Sequence, residues 1–360
     1  MHFFYPIKIN FKPKTHFMNL KIPAILSASF LFLLSCNDKK ETKNNKPQSD
    51  KTAAAQNDTV ETEQAPRKES INLFTLTYRD STDVAFVSLS DIYPLDDTAS
   101  DTLDLPNIEK MEKKAAKYFT LDKKYRNRFL SKTNISETDS LFVYDYAKNK
   151  LASFAIKNLK AAAWLNGYSS EEDWPYPKYY YMIGFEISKQ SLKGFSDYYS
   201  DVIVYAGKEN PFANEPLKPI VWKKIPGKEY PSKTMKKEDS AILKSTVAGN
   251  TYLYKTDTYQ YFLQDYLDSD KIIYARRLLV TDSKTKEIII EKLYSQSEGT
   301  SPAPLNGENG DDSFDQYTGK LFKNKPPVVF GFQYESFGCP AISLIDKSNE
   351  DIYIQCDNRH

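Results

Sequence analysis

An α+β fold with antiparallel sheet dominant is what this sequence predicts, and three observations carry the prediction. Short apolar and aromatic segments, many of them alternating, recur from Ile71 to the C-terminal region, as strands buried on one or both faces require. Asp residues stand at strand exits, where a tight turn has to begin. Helical spacing of apolar residues is confined to one stretch near residues 106–131.

Taken in order, Ile71, Leu73, Leu76 and Tyr78 form the first arm of a hairpin, and Val84, Phe86 and Val87 return after the polar break at 79–83. Pro106 suits a first helical turn, and Ile108, Met111, Ala115, Tyr118 and Phe119 follow at helical spacing with Lys and Glu between them. A second short helix is expected over 123–130. Strands are expected at 141–146, 151–156, 161–165, 180–187, 201–205, 220–225, 272–281, 287–294, 328–334, 341–345 and 352–356. Three of the resulting hairpins share a pattern. Asp145 and Leu151, Asp282 and Ile288, and Asp346 and Ile352 each place an Asp at the strand exit and an apolar residue six positions on. An Asp carboxylate accepts backbone N–H groups two residues ahead and so starts the turn. The unequal intervals between the three pairs make this hairpin chemistry, not the fixed repeat of a propeller.

Composition divides the chain further. Residues 37–70 contain no Leu, Ile, Phe, Met or aromatic residue, so burial cannot offset their chain entropy and they are expected to form a disordered tether. A β-rich lobe with helices is expected over 71–226 and a β-rich C-terminal lobe over 250–360. The Lys-rich stretch 227–249, with Gly227 and Pro231, reads as the linker between them.

Ahead of the tether, Lys21 precedes an apolar run from Ile22 to Leu34, which ends in Leu33, Leu34, Ser35 and Cys36. The run is too short for a spanning helix, which needs ~20 apolar residues, and it has the form of a secretory signal. The tetrad resembles the lipobox of bacterial lipoproteins. That resemblance implies cleavage before Cys36 by signal peptidase II, a lipid on Cys36 and attachment to the cell envelope. Residues 1–35 are then the signal peptide, with Met18 either its true start or the end of an extended basic n-region holding Lys8, Lys12 and Lys14. In enteric-type Gram-negative lipoproteins an Asp after the lipidated Cys marks inner-membrane retention. Asn37 stands there, which favours the outer membrane. Lipidation of Cys36 leaves Cys339 and Cys356 as an even pair in an exported chain, where disulfides persist. If Asp346 pairs with Asp351, Cys356 faces Ala341 and is diagonal to Cys339. A bulge at Pro340 or a tighter turn would bring the two together.

Several chemistries are excluded. Lys and Arg number 49 against 48 Asp and Glu, without a basic face to neutralise a row of phosphates, so no nucleic-acid partner is expected. The three histidines are His2, His16 and His360. Processing therefore leaves only the last, which removes Ser-His-Asp and Cys-His pairs and His-ligated zinc. Glycine is scarce, and neither a phosphate-cradling loop nor a nucleophile elbow occurs, so no nucleotide is expected. The one S-x-x-K, Ser283 to Lys286, falls in a hairpin turn where no helix brings Lys to Ser.

Two features survive. Glu171, Glu172 and Asp173 stand beside Trp174 and Tyr176, either as a ligand surface with acids next to a sugar-stacking ring or as an acidic loop leading into a Tyr-rich strand. Asp311, Asp312 and Asp315 offer hard oxygen ligands of the kind calcium takes, without EF-hand spacing. The expectation is an envelope lipoprotein that acts as a non-enzymatic binding or accessory module for a protein or glycan. The alternatives are a carbohydrate-active hydrolase using two carboxylates and an inhibitor or immunity-type protein.

Overall fold

The computed structural model describes residues 71–357 apart from 81, 99 and 309–313. Cys36, the signal and tether segments, Asp311 and Asp312 lie outside the described residues. Three larger sheets carry the fold, and all their strand pairs but one are antiparallel.

The first sheet runs in the order Thr77–Tyr78, Val84–Ser88, Tyr181–Ser188, Ala161–Leu165, Tyr118–Thr120. Gly184 sits opposite Ser88, and a Cβ there would lie 1.9 Å from the Val87 carbonyl oxygen, so this close approach requires glycine. The Lys123–Thr133 helix buries Tyr125, Phe129 and Leu130 as one stripe and ends at Asn134 in the left-handed conformation. Phe129 places its ring 5.2 Å from Tyr93 and 5.4 Å from Phe185.

The second sheet has nine strands. Lys218–Pro219, Tyr317–Gly319, Val328–Phe330, Ala341–Leu344 and Asp351–Gln355 form one half, and Leu73–Thr75, Val202–Gly207, Ser140–Asp145 and Lys150–Ala155 the other. The parallel pair, Leu73 with Ile354 and Phe74 with Gln355, joins the halves. Because alternate residues face opposite sides of a strand, Phe74, Leu141, Val143, Val202 and Val204 enter a first core shared with the helix and the first sheet. Leu73, Phe142, Tyr144 and Ile203 enter a second core, where they meet Phe330, Ile342 and Ile354 from the other half.

The third sheet is a meander of Lys223–Ile225, Val247–Lys255, Tyr259–Leu267, Ile273–Asp282 and Ile288–Ser295. Tyr261, Leu263, Leu278 and Val280 pack it against Val329, Phe332 and Ile345 in a third core. Residues 227–249, read from the sequence as a linker, leave and rejoin this one sheet. Within them Tyr230 sets its ring 6.4 Å from Phe262 and donates to the Arg277 carbonyl at 3.1 Å, while Lys233 lies 2.5 Å from Glu291.

The antiparallel-dominated class and the 123–130 helix are as expected. All three aspartates also start their turns as expected. Asp145 accepts from the N–H of Lys148 at 2.8 Å, Asp282 from Lys284 and Thr285 at 2.8 Å, and Asp346 from Ser348 at 2.9 Å. Three details differ. The helix expected from Pro106 is two single 3-10 turns, Ile108–Lys110 and Ala115–Lys117, followed by the strand Tyr118–Thr120. Pairing of Tyr118, Phe119 and Thr120 with Trp164, Ala163 and Ala162 overrides a short, uncapped helical pattern. The strands Val247–Lys255 and Tyr259–Leu267 have no counterpart in the sequence reading, although Tyr259, Tyr261 and Leu263 alternate with polar residues or Phe262. In the last hairpin Ala341 pairs with Tyr353 and Ser343 with Asp351, not Asp346 with Asp351.

Candidate functional site

The corrected register brings Cys356 back beside Cys339, and the two form a disulfide with their Cα atoms 5.5 Å apart, within the normal span for a bridge. Cys339 and Pro340 belong to the wall of a cavity of about 580 Å³. It opens at the seam where the two halves of the central sheet and the last meander strand meet. Val202 and Ile203 contribute from one half, Ala341, Tyr353 and Ile354 from the other, and Lys292 and Tyr294 from the meander.

Seven of the 24 lining residues are aromatic. Tyr294 stacks on Phe332 at 5.1 Å and 11°. Tyr146 sets its ring edge-on to Tyr317 at 5.1 Å and to Phe330 at 5.2 Å. Tyr334 and Tyr353 line the cavity and remain exposed by 48% and 61%. The Gln316 side chain holds this wall in place, donating to the Pro304 and Gly331 carbonyls at 3.0 and 2.9 Å. Gly331, at φ 87°, lets Asp315 approach, since a Cβ would fall 1.8 Å from the Asp315 carbonyl oxygen.

Polar groups share the walls with the rings, Thr75, Ser200, Gln333 and Ser343 among them. Among the described lining residues Lys292 is the one cation, and its Nζ reaches both Asp351 oxygens at 2.5 Å. Asp315 and Glu335 add carboxyls, and burial pushes that of Glu335 above the usual range. Behind Tyr146, burial first and the Asp145 charge second push Asp201 up. The Tyr146 hydroxyl, which donates to Asp201, is raised well above its ordinary value by burial. A ligand here meets ring faces, hydrogen-bonding groups and no unpaired positive charge, the make-up of a site for an uncharged, hydroxyl-rich molecule.

The residues singled out from the sequence lie in different places. Glu171 is 72% exposed, with Lys117 at 2.9 Å and Lys113 at 3.7 Å, and hydrogen bonding from Lys117 holds its carboxyl below the usual range. Glu172 is exposed, and Asp173 closes a capping box with Ser170. Trp174 lays its ring edge-on to Tyr176 at 5.3 Å. Tyr176 is only 3% exposed and belongs to the first core. Glu171 and Glu172 are thus exposed, Asp173 half-buried and Tyr176 buried. Of the acidic loop, Asp315 lines the cavity; among the described residues no group of three or more His, Cys, Asp or Glu side chains could hold a metal ion. In the S-x-x-K turn, Lys286 Nζ donates to the Ser283 carbonyl at 2.6 Å, a turn contact that uses the backbone oxygen of that serine.

Sequence reasoning missed this cavity because its walls come from segments more than 250 residues apart, Thr75 and Tyr353 among them. The available signal was the alternation of aromatic residues in the closing strands. No family model, curated protein or solved structure matches this chain.

Proposed function

We propose that the protein is an envelope lipoprotein, anchored through Cys36 in the outer membrane and carried on the 37–70 tether, whose folded part is a non-enzymatic binding module for an uncharged oligosaccharide. One observation carries this reading: a cavity of about 580 Å³ with tyrosine and phenylalanine rings in its walls, whose cation is already neutralised by Asp351. Its volume falls within the ~300–1,000 Å³ typical of small-ligand sites. Ring faces suit the C–H faces of sugars, and Glu335 and Gln333 supply hydrogen bonds to hydroxyls. Anionic ligands are disfavoured because Asp315 and Asp351 outnumber Lys292.

Calorimetric titration of the full-length chain with β-1,4-linked glucose and N-acetylglucosamine oligosaccharides tests the ligand class. Binding that Tyr353→Ala weakens about tenfold supports it, and no binding of either series refutes it. For the anchor, a Cys36→Ser chain is expected to stay unprocessed and carry no lipid. The hydrolase reading draws on Glu335, an acid whose burial favours keeping its proton, in one cavity with Asp315 and Asp351. Release of new reducing ends from the same oligosaccharides would favour it.

A further inference from the structure

We infer that Tyr78, Tyr198 and Tyr199 form an outer stacking subsite at the mouth of the cavity, holding the next sugar ring of a ligand longer than the cavity itself. This rests on the oligosaccharide reading above and adds to it a preference for chain length.

Tyr198 and Tyr199 are consecutive residues with φ of 53° and 59°. In that region a side chain's Cβ crowds the backbone, and a bulky residue there is an outlier. Every other described non-glycine residue with positive φ is Asn, Asp or Lys, types that tolerate turns or reach out into water. Two adjacent aromatic residues in this conformation persist only where surrounding contacts impose it. Tyr199 is half-buried and packs against the first core, but burial does not account for Tyr198, which is 76% exposed.

The strain instead places rings side by side. Tyr198 meets Tyr78 edge-on with centroids 5.2 Å apart, and Tyr199 lies 6.1 Å from Tyr78. Tyr199 also lines the cavity, so through it the Tyr78 and Tyr198 rings adjoin the cavity wall. The platform is braced from both sides. Lys189 Nζ sits 3.7 Å from the Tyr78 ring centroid and donates to the Arg79 carbonyl. The tyrosine turn is fixed at its start by Ser196, whose N–H donates to the buried Asp145 at 2.6 Å and whose carbonyl accepts from Tyr199 at 3.1 Å. Rings held this way lose little freedom when a ligand stacks on them. The occupant is a sugar ring because the platform adjoins a cavity that offers the same stacking chemistry further in.

The test is calorimetric titration of the full-length chain with cello- and chito-oligosaccharides of two and six units. In the unaltered chain the longer oligomer is expected to bind about tenfold more tightly. Tyr198→Ala should abolish most of that gain while leaving affinity for the shorter oligomer unchanged, and Tyr198→Trp, which keeps a ring, should retain it. Thermal melts of both variants check folding, which a side chain so exposed should not disturb. A gain that survives in Tyr198→Ala overturns the subsite, as does equal affinity for both lengths in the unaltered chain, and either result leaves the cavity reading standing. Failure of both series at both lengths refutes the cavity reading and the subsite with it.

Discussion

The core between the first sheet and the central sheet is filled by Phe129, Phe185, Ile183, Leu141 and Val143, whereas the Ile273–Asp282 strand of the meander buries two adjacent arginines. Arg276 is 1% exposed and bonds Asp265 at 3.1 Å, both Glu308 oxygens at 2.7 Å and the Ala303 carbonyl. Arg277 bonds Glu291, which Lys233 meets from the other side. Apolar packing in the first core is indifferent to which loop covers it. The arginine contacts are not, since each names its partner. Arg276 ties the meander to the 303–308 segment leading to the cavity wall, and Arg277 and Glu291 tie it to the 227–249 excursion. Burial pushes the Asp265 carboxyl up despite Arg276, so the charges are held at a desolvation cost that geometry has to offset.

The sharpest way to break this comparison is to remove one partner. Arg276→Ala should cost ~3–5 kcal/mol by leaving Asp265 charged and unpaired, about as much as the ~3–5 kcal/mol expected of Phe129→Ala in the apolar core. The two differ in how they are rescued. Asp265→Leu combined with Arg276→Met should recover the part of the loss that comes from Asp265, because a well-packed apolar pair replaces that ion pair, but not the part that comes from Glu308 and the Ala303 carbonyl, and no polar change elsewhere should rescue Phe129→Ala. Urea unfolding of the four chains decides it. A cost below ~1 kcal/mol for Arg276→Ala would mean that water reaches the pair.

A second, smaller effect is expected at the seam, which belongs to neither core. Replacing Cys339 and Cys356 by Ser should lower stability by ~2–3 kcal/mol, as the chain-entropy account gives for a loop of this size. The loss should appear as earlier unfolding of the unaltered chain under reducing conditions and be absent from the double variant.

The difference between the regions also explains what was legible. Patterning reported strands in both, and Asp145, Asp282 and Asp346 marked their turns because that chemistry is local. The 106–119 segment has apolar spacing that fits a helix, while the partner that makes it end as a strand, Trp164 and its neighbours, is some 45 residues away and leaves no local mark. Arg276 and Arg277 in a continuous apolar strand give no sign of which acids will meet them. The cavity was invisible for the same reason: Tyr146, Tyr294 and Tyr353 have nothing in common until the two halves of the central sheet and the meander converge. Glu171 to Tyr176 are adjacent in sequence, but the capped turn leaves Glu171 and Glu172 exposed while Tyr176 is buried in the first core.

A milder test probes an imperfection in the apolar core. Tyr176 is buried there, and its hydroxyl has no hydrogen-bond partner among the described residues. An unsatisfied buried hydroxyl costs free energy that its removal returns. Tyr176→Phe should therefore stabilise by ~1 kcal/mol, read as a higher urea midpoint at unchanged slope. A loss of stability would mean that ordered water satisfies the hydroxyl and that this core is less dry than its side chains imply.

The smallest effect separates a half-buried carboxylate from a surface one by the sign of their pH dependence. Burial, and then the Asp145 charge, raise the Asp201 carboxyl above its unfolded value near ~3.9. A raised acid contributes its full share of stability below the unfolded value and loses it as pH rises through the folded value. Asp201→Asn keeps an acceptor for the Tyr146 hydroxyl and cannot ionise, so it should be more stable than the unaltered chain at neutral pH and equal to it in acid. Glu137 is the opposite case. Hydrogen bonds from Arg126 at 2.9 and 2.8 Å hold its carboxyl below the usual range, so its contribution is present above the unfolded value and lost as pH falls. Glu137→Gln should then be less stable at neutral pH and converge with the unaltered chain in acid. Thermal melts from about pH 3 to 8 should give difference curves of opposite sign that both close towards the acid end. Curves of the same sign would show that Asp201 finds in the folded chain a donor or cation strong enough to outweigh its burial.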